Sequence, residues 1–222
     1  MNQSSAPKKL PDKLIVLVDE IEAKAGRPIC WKQDEGLPAE MGANLVGGNP
    51  TISYRNFSES GAAHELLHLK LALSGFPRLI CPEIMDPTMQ AMIMLEGVVQ
   101  HSVIFPKLRQ LGYDDDERRA IRKQLNLVQL EGLDRIANEP DLRAMFSMLY
   151  VRTLTDCEDL SLHAKLQRLF SDERLQICRV LGEKVIEVIR SRDLSKNQEA
   201  HAVLEEAIAV LELSDTITFE YP

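Results

Sequence analysis

Apolar residues recur at helical spacing along most of the chain. Near its start, Leu14, Leu17 and Ile21 lie three or four positions apart and predict an amphipathic helix over 11–24. From residue 86 onward the same spacing dominates, and Pro106 indicates a break or a kink after the first segment. The predicted helices of this later region cover 86–105, 115–130, 140–156, 158–169, 172–192 and 197–212.

Short runs of β-prone residues interrupt this pattern in the first quarter of the chain. Two of the runs are separated by a glycine-rich spacer at 47–50, which is typical of a hairpin or loop. A helix over 60–74 follows, with Ser58 and Ser60 as candidate N-caps. The pattern predicts an α+β fold that is mainly α. The predicted strands cover 29–31, 43–46, 51–54 and, at the C-terminus, 216–221.

The domain organisation follows from the absence of any long linker. Residues 1–10 are polar and basic, which indicates a flexible tail. The remaining residues, 11–222, are predicted to form a single domain, which is an ordinary size for one. Within it we expect a core with the small sheet over 11–112 and a helical extension over 113–222.

The pentapeptide His-Glu-Leu-Leu-His at 64–68 is the most informative chemistry in the chain. Two histidines four apart lie on one face of a helix, about one turn apart. His64 and His68 are therefore predicted to bind one zinc ion. Glu65, adjacent to the first histidine, is the candidate general base that acts on a water at the metal.

A catalytic zinc ion usually has three protein ligands and an open position, so a third ligand is required. The extended metzincin pattern is excluded, because Leu71 and Ser74 stand where it needs glycine and histidine. Glu96 is the leading candidate, since a carboxylate within the apolar stripe of the helix 86–105 needs a metal, a cation or hydrogen bonds to compensate it. Gln100, one turn later, is placed to hydrogen-bond a ligand.

Alternatives to Glu96 remain open. His101 is the rival ligand, on a different face of the same predicted helix. The two residues point about 140° apart, so they are not expected to serve one site equally. Glu83 and Asp86 are further candidates. An ion pair with an arginine is the structural alternative for Glu96 itself.

Charge and composition exclude some classes of protein. The formal net charge of −8 argues against a nucleic-acid-binding surface, which is usually basic. The one basic cluster, within 114–123, is interleaved with acidic residues and indicates a solvated helix face. No apolar run is long enough for a membrane span or a signal peptide, so a cytoplasmic protein without membrane or nucleic-acid partners is expected.

The cysteines indicate the same compartment. None of them forms a Cys-x-x-Cys pair, so a cysteine zinc site or a thioredoxin-type motif is not expected. Their wide spacing is typical of buried free thiols in a reducing environment. The four are Cys30, Cys81, Cys157 and Cys178.

The predicted strand 51–54, the helix with the pentapeptide and the downstream helix with Glu96 together resemble the zincin superfamily of metallopeptidases, in its gluzincin-like branch. The resemblance covers roughly 28–110. It implies that the strand 51–54 is an edge strand that aligns an extended peptide substrate beside the metal. The chain is also similar to the IrrE/ImmA-type cytoplasmic metallopeptidases, although the sequence around Glu96, Leu-Glu-Gly-Val, departs from their usual pattern.

Two classes of function are consistent with the sequence. The first is a zinc-dependent hydrolase, a peptidase acting on a peptide or protein substrate, in which Tyr113 is a further candidate to polarise the scissile carbonyl. The second is a non-catalytic interaction or regulatory protein with a relic or structural metal site. In that case the C-terminal helices provide surfaces for a partner or for a homo-oligomer.

Overall fold

The computed structural model describes residues 10–37, 39–81, 86–113, 125–126, 133–136 and 138–220. The chain is mainly helical with two small sheets, which confirms the predicted α+β, mainly α class. It divides into two compact units, one made of 1–76 and 104–115, the other of 77–103 and 116–222. The single domain expected over 11–222 stays a prediction.

A three-stranded mixed sheet, two helices and the end of a third form the first unit. Strand β3 lies between β1, to which it is parallel, and β2, to which it is antiparallel. Gly47 and Gly48 have φ of 56° and 74°, as the two central residues of a tight hairpin turn require, so the predicted hairpin is confirmed. The elements are α1 (Asp12–Ala25), β1 (Cys30–Gln33), β2 (Met41–Val46), β3 (Asn49–Tyr54) and α2 (Glu59–Leu73).

Local sequence explains where α2 starts and how it packs. The Ser58 hydroxyl accepts a hydrogen bond from the Gly61 backbone N–H at 3.0 Å, which identifies Ser58 as the N-cap. A Cβ at Gly61 would lie 2.7 Å from Sδ of Met41, so glycine allows α2 to approach strand β2 closely. Ala62, Leu66 and other apolar residues of α2 are buried in this unit. The helix that carries the pentapeptide is thereby fixed against the sheet.

The position of β3 corrects one expectation. Residues 51–54 were expected to form an edge strand, but β3 is the central strand and is paired on both sides. Its backbone N–H and C=O groups are already used by its neighbours, so no substrate strand can add to it. The edge strand that packs against α2 is β2.

The second unit consists of helices and a two-stranded antiparallel sheet. Helix α3 begins in this unit and its last residues, from 104, belong to the first unit. A break at Pro106 is wrong, because α3 continues through it to Gln110, four residues later, whereas the alternative, a kink, stays a prediction. The elements are β4 (Arg78–Ile80), α3 (Asp86–Gln110), α4 (Pro140–Thr155), α5 (Leu160–Leu169), α6 (Gln176–Arg190), α7 (Asn197–Val210) and β5 (Thr218–Glu220).

Most predicted helix bounds agree with the structure within a few residues. The segment 172–192 instead opens with a 3₁₀ turn, Glu173–Leu175, before α6 begins. Strand β4 was not predicted, because three residues are too short for a clear alternation. The predicted helix 115–130 and the flexible tail lie outside the described residues, apart from 10 and 125–126. No helix in the described ranges combines the length and apolar character needed to cross a membrane.

The four cysteines are reduced thiols, as predicted. Cys157 and Cys178 are buried, but Cys81 is half-buried and Cys30 is exposed, so the expected burial is confirmed for only two of them. Burial raises the pKa of the Cys178 thiol to about 11, so this side chain is a neutral, unreactive part of the core.

Gly182 sits where α4 and α6 meet, and its replacement by alanine is expected to destabilise the protein. A Cβ there would lie 2.8 Å from Cδ1 of Tyr150 and 3.1 Å from the carbonyl oxygen of Ser147. Overpacking of this kind outweighs the better helix propensity of alanine, so the free energy of unfolding should fall by about 1–2 kcal/mol.

Urea unfolding of the two glycine variants measures this effect. Gly97→Ala in α3 is the matched control, since a Cβ there meets nothing closer than 3.8 Å. We expect that control to be neutral or stabilised by up to about 1 kcal/mol. Equal effects of the two substitutions would contradict the close approach at Gly182.

Candidate metal centre

Helix α2 brings two imidazoles together. The rings of His64 and His68 are stacked, with centroids 4.7 Å apart and planes inclined by 21°. Their Nε2 atoms are 2.7 Å apart. Both side chains are half-buried, with the buried Ala63 and Leu67 beside them along the helix. The prediction that the two histidines share one face of a helix is confirmed.

Helix α3 supplies a third imidazole. Within the first unit, the Phe105 ring meets His64 edge-on, with centroids 6.2 Å apart. His101 precedes Phe105 by four residues and so lies on the same face of the continuous helix α3. The ligand atoms of His64, His68 and His101 all lie within 4.8 Å of one another. In the part of the chain that the structure describes, these three form the group placed to hold a metal ion.

His101 is held by a buried carboxylate. Its Nδ1 lies 2.8 Å from Oδ2 of Asp156, and the two side chains are only 7% and 3% exposed. The hydroxyl of Thr155 donates to the other oxygen of Asp156 at 3.0 Å. A carboxylate acceptor at Nδ1 favours the proton on that nitrogen, which leaves Nε2 as the nitrogen with a free lone pair.

The donor set fits a single metal ion. Two zinc–nitrogen bonds of about 2.0–2.1 Å at a tetrahedral angle place their nitrogens about 3.3 Å apart. The Nε2 atoms of the two α2 imidazoles are closer than this, at 2.7 Å, and all ligand atoms of the group lie within 4.8 Å of one another. Three histidines with an open fourth position are also a known catalytic arrangement. Nitrogen donors bind several transition metals, so the group defines a metal site without specifying the metal.

Glu65 lies on α2 next to His64 and is half-buried. Successive residues of a helix point about 100° apart, so Glu65 lies beside the face of the histidines rather than on it. A residue at this position would flank a metal held by the two histidines, as a general base must. The catalytic role of Glu65 stays a prediction.

Glu96 is engaged in a polar cluster within the second unit. The Gln100 amide donates to its Oε1 at 2.9 Å, and Nε of Arg78 lies 3.7 Å from the same oxygen. The backbone N–H of Leu79 also interacts with the carboxylate. This is the ion pair considered as the structural alternative from the sequence. Glu96 is not part of the three-histidine group, and its role as a metal ligand stays a prediction.

Glu96 should make stability depend on pH. Burial raises the pKa of this carboxyl above its ordinary value of 4.5, against the opposing effects of Arg78, Leu79 and Gln100. A folded protein with a raised pKa holds the proton more tightly than the unfolded chain does. The stabilising contribution is therefore complete below pH 4.5 and is lost as the pH rises through the folded value.

Glu96→Gln should remove this dependence. Relative to wild type, the free energy of unfolding of the variant should increase as the pH rises from about 4 to about 7. Urea titrations of metal-free protein at several pH values measure the difference. If the free energy of unfolding of the variant relative to wild type stayed constant or decreased as the pH rose, the effect of burial on the pKa of Glu96 would be contradicted.

The remaining candidates contact other residues or lie outside the described residues. The Tyr113 hydroxyl donates to Glu59 at 3.4 Å, and the Lys13 ammonium covers its ring at 3.9 Å. Its role in polarising a carbonyl stays a prediction. Glu83 and the side chain of Asp86 are outside the described residues.

Sequence reasoning missed Asp156 altogether. It follows α4 and lies 55 residues from His101 along the chain, so no spacing connects the two. The only local signal is an aspartate at the end of a helix, where the helix dipole disfavours a negative charge.

No family model, curated protein or solved structure matches this chain. The likeness to zincins therefore rests on the pentapeptide and on the helix that carries it.

Proposed function

We propose that the protein is a zinc-dependent hydrolase of peptide bonds, with His64, His68 and His101 as metal ligands and Glu65 as general base. The observation that carries this proposal is the convergence of the three imidazoles within 4.8 Å, two of them from a His-Glu-x-x-His helix. His101, rather than Glu96, completes the proposed ligand set.

The chemistry follows from these residues. A zinc ion held there would polarise the substrate carbonyl and lower the pKa of a water toward 7. Glu65 accepts the proton of the attacking water and delivers it to the leaving amine. His101 is held in one orientation by Asp156, which keeps the ligand geometry fixed while the charge at the site changes.

A peptide substrate is favoured by the strand beside the motif helix. Strand β2 packs against α2 in the first unit, and it has β3 as its one strand partner in the described ranges. An extended peptide binds such an edge through backbone hydrogen bonds, with alternate side chains pointing to the same face. We therefore propose the substrate-aligning role for β2 instead of β3.

A second candidate function is a non-catalytic interaction protein with a structural metal site. Ile177 and Val180 are 44% and 41% exposed and lie three residues apart on one face of α6. Exposed apolar residues at this spacing suit a helix-mediated contact. This alternative predicts that partner binding survives the loss of the metal.

Hydrolysis of a quenched-fluorescence peptide library tests the proposed function. We expect zinc-loaded wild type to cleave library peptides, a chelator to abolish cleavage and added zinc to restore it. His68→Ala, treated identically, controls for contaminating peptidases. Wild type that carries one zinc per chain and cleaves no peptide would favour the interaction protein instead.

A further inference from the structure

We propose that Asp156 is a positioning residue for the third metal ligand. Its carboxylate accepts the Nδ1 proton of His101 and thereby directs Nε2 to the metal. The inference rests on the proposed function, because it assigns a role toward a metal held by His101.

The contact between Asp156 and His101 lies in the interior of the protein and not at its surface. The two side chains are almost completely buried and are joined at 2.8 Å. Both carboxylate oxygens are engaged, one by His101 and the other by the Thr155 hydroxyl at 3.0 Å. Arg152, one turn earlier on α4, has its Nε 3.9 Å from Oδ2. The carboxylate is therefore fixed from its own helix.

Local stability does not explain why an aspartate stands here. Asp156 is the C-cap residue of α4, where the partial negative charge of the helix end disfavours a carboxylate. Its burial adds a desolvation cost that only partners can offset. The presence of an aspartate at this position is better explained by its hydrogen bond to His101.

The effect on His101 is chemical as well as steric. A neutral imidazole carries its proton on either ring nitrogen, and only the other nitrogen can bind a metal. The carboxylate selects the tautomer with the proton on Nδ1 and fixes the plane of the ring. Removing its charge should weaken metal binding without removing any ligand.

A double-mutant cycle on zinc affinity tests the inference. Competition with a chromophoric chelator gives the zinc affinity of wild type, Asp156→Asn, His101→Ala and the double variant. We expect Asp156→Asn to weaken zinc binding by about 10–100-fold. In the His101→Ala background the same change should have little further effect, because the residue it acts through is absent. Asp156→Glu, which keeps the charge, should restore part of the affinity.

Two controls separate positioning from folding. Thermal unfolding of the zinc-free variants shows whether Asp156→Asn still folds. Asp172→Asn removes an aspartate that pairs with Arg174 instead and should leave zinc affinity unchanged. If Asp156→Asn does not fold, the comparison of Asp156→Glu with wild type in both backgrounds replaces it.

Each outcome is decisive. Asp156→Asn with the zinc affinity of wild type, or an equal loss of affinity in both backgrounds, would overturn the inference and leave the contact as a structural tie between α3 and α4. If wild type itself bound no zinc, the proposed function would fail together with it. Zinc binding that depends on His101 but not on Asp156 would contradict this inference and leave the proposed function intact.

Discussion

Glu65→Gln is expected to lower the rate of peptide hydrolysis by roughly 10²–10⁴-fold while the protein keeps one zinc per chain. Glutamine has the size of glutamate but cannot accept a proton from the attacking water. Because Glu65 is adjacent to the ligand face of α2 and is not one of the three imidazoles, the metal should stay. The measurement is kcat on a cleaved library peptide together with elemental analysis of the same sample.

Glu59→Gln is the matched control for this change. Glu59 lies on the same helix, is exposed and accepts a hydrogen bond from Tyr113. We expect it to keep both the zinc and the activity. A Glu65→Gln protein with undiminished turnover would remove Glu65 from the mechanism, and one that lost its zinc would make it a residue of the metal site.

His68→Ala is expected to weaken zinc binding by more than roughly 10–100-fold, which is the usual effect of losing a residue that only hydrogen-bonds a ligand. The reason is that His68 is proposed to bind the metal directly. Zinc that binds only the folded protein stabilises it by about 2.7 kcal/mol when the free zinc concentration is 100 times the dissociation constant. Wild type should therefore show a rise in Tm with added zinc that the variant lacks. Thermal unfolding over a series of zinc concentrations measures both quantities.

His201→Ala is the control for the loss of a histidine. His201 stacks on Phe219 in the second unit, with ring centroids 4.0 Å apart, and is not part of the metal group. Its variant should respond to zinc as wild type does. The same zinc response in His68→Ala and wild type would contradict the proposed ligand set.

Local features of the fold were predictable because they depend on neighbouring residues. Gly47 and Gly48 specify the hairpin turn through their positive φ, and Ser58 specifies the start of α2 through its hydroxyl. The order of strands in the sheet was not predictable in this way. The position of β3 between two neighbours depends on β1, which reaches it through a parallel pairing that no local turn encodes.

The same distinction between local and long-range contacts applies to the candidate site. His64 and His68 were predictable, since four residues of helix bring them together without help from the rest of the chain. The choice between Glu96 and His101 depends on tertiary contacts. Glu96 stood out as a charge in an apolar stripe, yet Arg78, on a three-residue strand that periodicity does not detect, lies 3.7 Å from it. Asp156 could be found only from the structure.

Zinc content per chain in wild type, His101→Ala and Glu96→Gln tests the three-histidine site most directly. Each protein is equilibrated with a small excess of zinc, desalted and measured by elemental analysis. We predict about one zinc ion per chain in wild type and in Glu96→Gln, and less than about a tenth of that in His101→Ala, since only His101 supplies the third ligand. Zinc retained by His101→Ala and lost from Glu96→Gln would contradict the account and assign the third ligand to Glu96.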